Sequence, residues 1–106
     1  MTKTKVREWL FSRKPAPPPV LAERLEQVLA AYPEESLTVG GSISAAMEAL
    51  GLATLGSLAG RDPRSVEVGL DLLAADAFVT FAFEAAAEER ADVGPLVSRL
   101  LERAAA

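Results

Sequence analysis

The seven prolines fall at four places in the chain and mark where helices can begin and end. Each lacks an N–H donor and biases the residue before it toward extended geometry, so none is expected inside a continuing helix. Lys14-Pro15-Ala16-Pro17-Pro18-Pro19 reads as a stiff spacer. Tyr32-Pro33 stops whatever precedes it. Asp62-Pro63 is a strong helix start, because aspartate can cap free amides and proline at the first helical position gives up nothing it needed. Gly94-Pro95 ends one helix and starts the last.

Apolar periodicity fills the intervals. Leu21, Leu25, Val28, Leu29 and Tyr32 form one stripe with Glu23, Arg24, Glu26 and Gln27 off it, which predicts an amphipathic helix. The segment from Glu34 to Gly41 is ambiguous, since residues 37–44 fit either a loop or a small hairpin turning at Gly40-Gly41; the loop is preferred. Ser42 or Ser44 then caps a helix with Ile43, Met47, Leu50, Thr54 and Leu58 on its main face and Gly60 as its stop. Gly51 and Gly56 weaken that helix unless they serve a close backbone approach or a break.

A long helix is predicted from Pro63 to about Arg90. At about 100° per residue it carries two apolar faces, one with Val66, Leu70, Leu73, Ala77 and Phe81 and one with Val68, Leu72, Val79 and Phe83. A helix apolar on two sides is central in a bundle or shared with a second subunit, and sharing through Leu72, Val79 and Phe83 is the favoured reading. Residues 77–83 contain good β formers, but the alanine-rich flanks favour helix. The final helix carries Leu96, Val97, Leu100, Leu101 and Ala104 on one face. The predicted fold is therefore all-α, with a basic arm (1–14), a Pro-rich spacer (15–19) and a bundle of about four helices (20–106).

Composition supports association. Apolar residues make up 50% of the chain, and glycine raises this to about 57%, above the roughly 45–50% of an ordinary domain. The net charge of -4 is unevenly placed: residues 1–14 hold five basic side chains against Glu8 alone, a net +4, which leaves the remainder at -8. The stretch from Leu37 to Ala59 is nearly uncharged and about the 20 residues of a membrane span, but Glu48 and several Gly, Ser and Thr residues argue against insertion. With no signal-like apolar run, the cytoplasm is the expected compartment.

The chain contains neither cysteine nor histidine. Disulfides, thiolate or imidazole metal ligation and serine–histidine catalysis are thereby excluded, and no glycine-rich phosphate motif occurs. The carboxylates Glu48, Asp71, Asp76 and Glu84 are the remaining candidates for chemistry, because burial can raise a carboxyl pKa. Glu67 with Asp71, and Glu84 with Glu88, are spaced i, i+4, which more often marks a solvated edge. No catalytic residue, cofactor or metal is therefore expected.

The arm is more informative. Val6, Trp9 and Leu10 fall on one side of a short helix, with Phe11 after them and Lys3, Lys5, Arg7, Arg13 and Lys14 as basic support. Such a segment can dock in a partner's apolar groove, lie on an anionic membrane surface, or fold back on the acidic body. Nucleic acid is disfavoured, since the body would repel phosphate. The functional expectation is a non-enzymatic oligomerising adaptor or scaffold-type domain, most simply a dimer, whose arm docks a protein partner; a peripheral membrane-binding protein is the alternative.

Overall fold

The computed structural model describes residues 2–37, 41–89 and 94–105. It is all-α: α1 (Lys3–Leu10), α2 (Pro19–Ala31), α3 (Glu34–Leu37), α4 (Ile43–Gly56), α5 (Val66–Glu88) and α6 (Gly94–Ala105), with no strand among the described residues. Residues 77–83 are helical throughout, within α5.

The boundaries follow local chemistry. Pro19 is the first residue of α2, so the spacer ends at Pro18. Glu34–Leu37 makes a single helical turn in place of the expected loop, and Leu37 is buried. The hairpin alternative for 37–44 falls partly on residues 38–40, outside the described residues. At α4 the Ser42 hydroxyl accepts from the Ala45 amide at 3.1 Å, the capping geometry expected of a serine there. The helix ends at Gly56, earlier than the expected Gly60, because the chain tightens into successive i→i+3 bonds from Leu58 to Leu55 and from Arg61 to Leu58. Gly60 sits within that turn at φ 76, a conformation glycine adopts without strain. The predicted start at Asp62-Pro63 is early as well: Asp62 accepts from the Arg64 amide at 3.0 Å and from the Ser65 amide at 3.1 Å, closing a turn of its own before α5 begins at Val66. Arg90, the expected end of this helix, lies outside the described residues.

Helices α4 and α5 pack antiparallel along their lengths. The Ser44 amide donates to Glu89, Gly51 lies against Phe78 and Val79, and Thr54 and Ser57 share a cleft with Asp71. A Cβ placed on Gly51 would stand 3.3 Å from Phe78 Cβ and from Val79 Cγ2, so this glycine does permit a close helix approach.

The buried face of α5 is neither of the two apolar faces expected. It is the face between them, built from Ala74, Ala75, Phe78, Ala82, Ala85 and Ala86. Small side chains let the α4 backbone come close, and the bulky residues on either side become shoulders. Val68 is buried, Leu70, Ala77, Val79, Phe81 and Phe83 are half-buried, and Val66, Leu72 and Leu73 remain exposed. Around this pair, α2 packs on α5, α1 on α2 and α4, and α6 on α4, with Leu25, Leu29 and Leu96 buried in the shared core.

Candidate interaction surface

The arm residues lie largely against their own body. Val6 and Leu10 are fully buried in the core. Trp9 meets Phe81 edge to face, with ring centroids 6.0 Å apart, and its indole N–H donates to Glu88 Oε1 at 3.2 Å. The Arg13 guanidinium stacks 4.0 Å above the Trp9 ring and pairs with the same glutamate. The indole N–H first, and Arg13 second, hold the Glu88 carboxyl below its ordinary range. Arg7 pairs with Glu26, its Nε donating to both carboxylate oxygens at 2.9 and 2.8 Å. Lys3 Nζ donates to the Ala30 carbonyl at 2.8 Å, satisfying an open acceptor near the end of α2. Of the nine arm residues proposed to bind, only Lys5, Phe11 and Lys14 face outward.

The energetic order of these contacts is clear. Burial of Val6 and Leu10 contributes about 1.5–3 kcal/mol each before entropy, whereas each exposed ion pair is worth about 0–1 kcal/mol. The apolar side of α1 holds it in place, and the charged rim fixes its register.

The four candidate carboxylates are not brought together. Glu48 is buried on α4 and held bidentately by Arg99 of α6. Asp71 is buried on α5, with Oδ1 accepting from Arg24 at 2.9 Å and Oδ2 from Arg61 at 2.7 Å, while Arg24 also reaches Glu67. Asp76 and Glu84 are on the exposed side of α5. Asp71 borders a cleft of about 240 Å³ lined by Val28, Tyr32, Pro33, Ala53, Thr54 and Ser57. Both of its carboxylate oxygens are already engaged by guanidinium groups. No set of three or more acidic, cysteine or histidine side chains is grouped as a metal ion requires, among the described residues. No described helix is long and apolar enough to cross a membrane.

These arginine partners escaped sequence reasoning, because Arg24 and Asp71 are 47 positions apart and Glu48 and Arg99 are 51 apart. No local spacing signals such a pair. The only hint was an acidic residue within an apolar stretch.

The surface also keeps several large apolar side chains. Val66 is 85% exposed, Leu73 57% and Leu72 53%, all within the first third of α5. Val20, at the start of α2, is 66% exposed and shares a shallow depression with Leu70. The residues expected to self-associate do not form one exposed face: Leu72 is outside, Val79 packs toward Gly51, and Phe83 packs against the core. On α6, Val97 and Leu101 also stay outside, while Leu96 and Leu100 pack against the core.

No protein-family model matches this chain, and neither the curated proteins nor the solved structures give a match.

Proposed function

We propose that this chain is a non-enzymatic, self-associating interaction domain: a body of four principal helices, α2, α4, α5 and α6, with α1 as an arm seated on it. One observation carries the reading. Beside an inner face that buries mostly alanines and Phe78, the start of α5 keeps Val66, Leu72 and Leu73 in solvent. Single exposed apolar residues are ordinary, but three on adjoining turns of one helix, with Val20 and Leu70 nearby across a depression also lined by Glu23, Arg24 and Gln27, support an interaction surface. The acidic partners of Arg7 and Arg13 support an arm that stays seated while the body associates. In this reading the arm meets a further partner through the outward Lys5, Phe11 and Lys14, and offers Val6, Trp9 and Leu10 only when α1 lifts from the body.

The test is the absolute mass of the full chain in solution by size-exclusion chromatography with light scattering, over a range of loading concentrations. A mass rising toward twice the 11.2 kDa of the chain supports the reading. A constant 11.2 kDa at every concentration rejects it.

A further inference from the structure

We propose that the partner is a second copy of this chain, and that the two α5 helices cross antiparallel with Gly69 at their closest approach. This rests on the self-association reading above and specifies its geometry.

The outer face of α5 has the spacing of a helix-pairing seam. Val66, Gly69, Leu73, Asp76 and Thr80 recur at alternating intervals of three and four, all exposed, with Leu72 beside them. That is the rhythm by which side chains of one helix enter the gaps of another. The seam is apolar only up to Leu73, and Asp76, Thr80 and Glu84 make its continuation polar, which limits contact to the first half of the helix.

Gly69 is the second observation. It lies inside α5 with no positive φ, and a Cβ built on it would meet nothing within 4 Å. Its own chain gains nothing from the missing side chain, yet glycine weakens a helix interior relative to alanine. Gly51, on the inner side of the α4–α5 pair, shows what such a residue does here: it lets a second helix come close. Gly69 presents the same feature to the outside.

Charge selects the orientation. Arg64 precedes α5 with its side chain 91% exposed and held only by a long surface contact of 3.4 Å to Asp62 of its own chain, and Asp76 lies exposed on the seam. An antiparallel crossing at Gly69 brings Arg64 of each copy toward Asp76 of the other and sets Val66 against Leu73 on both sides of the axis. A parallel pairing would place Arg64 beside Arg64 and Asp76 beside Asp76. A two-fold interface must be self-complementary, and this strip is so only in the antiparallel sense.

The test is sedimentation equilibrium on the full chain and on substituted full chains, with helicity checked by circular dichroism. Leu73→Glu, at an exposed position, is expected to keep its helicity and weaken the dimer about thirtyfold or more. Gly69→Gln is expected to raise the thermal midpoint at low concentration while weakening the dimer about tenfold. Arg64→Asp and Asp76→Arg are each expected to weaken it, and the double variant to recover wild-type affinity. A dimer unchanged by Leu73→Glu and Gly69→Gln overturns this geometry while leaving self-association standing. A wild-type monomer at all concentrations overturns both.

Discussion

The inner face of α5 and the exposed start of its outer face differ in a way opposite to the size of most of their apolar side chains. The inner face is mostly alanine and is fully covered, while the outer face carries valine and two leucines and is left in water. Close approach decides the contest. The buried alanines at 74, 82 and 85, together with a glycine at 51 that lies against Phe78 and Val79, let two helix backbones come together and gain many dispersion contacts along their length, whereas a leucine face would hold them further apart. Val66, Leu72 and Leu73 are then left exposed.

The largest effect should come from the one large side chain on the inner face. Phe78→Ala should lower stability by about 3–5 kcal/mol, measured by urea denaturation, because Phe78 is fully buried and its removal leaves a cavity. A loss below 1 kcal/mol would mean that the inner face is not the core. Next, Gly51→Val should cost about 1–3 kcal/mol by overpacking, since the first added carbon already stands 3.3 Å from Phe78 and Val79. If this variant is as stable as wild type, close approach is not what holds α4 to α5.

A smaller effect is expected where the arm meets the far end of α5. Glu88 has its pKa depressed in the folded state, so its contribution is present above the ordinary glutamate value of 4.5 and is lost as pH falls through the depressed value. Trp9 is the only tryptophan and reports this directly. Its emission should shift to the red on acidification, and Glu88→Gln should remove that part of the shift by abolishing the titration. An identical acid shift in Glu88→Gln would assign the transition to other carboxylates. The smallest effect is on the outer face: Leu73→Ala should change the stability of the dilute chain by about 0.5 kcal/mol or less, because the side chain is mostly in water already.

The contrast also explains how much the sequence disclosed. The stripe of α2 was legible, since Leu25 and Leu29 are buried with Leu21, Val28 and Tyr32 packed beside them, as i, i+3, i+4 spacing implies. The proline punctuation placed the starts of α2, α5 and α6 to within a few residues, and the serine cap did the same for α4. The packing face of α5 was not legible, because hydrophobicity weights Leu72 and Phe83 above Ala82 and Ala85, whereas the structure weights the distance of approach. The apolar side of the arm was visible in Val6 and Leu10, but its destination depended on a surface assembled from distant helices. The same holds for Asp71 and Glu48, whose arginine partners come from other elements of the fold.

The most direct test of the division between the two faces is the thermal midpoint of the full chain and of Leu73→Glu, each measured by circular dichroism over a hundredfold range of concentration. The account predicts a wild-type midpoint that rises with concentration, because association stabilises the folded state by mass action, and a Leu73→Glu midpoint that stays constant and meets the wild-type value at the dilute end. A Leu73→Glu midpoint far below wild type even at the lowest concentration would show that Leu73 belongs to the core of the single chain, and the assignment of inner and outer faces would be wrong.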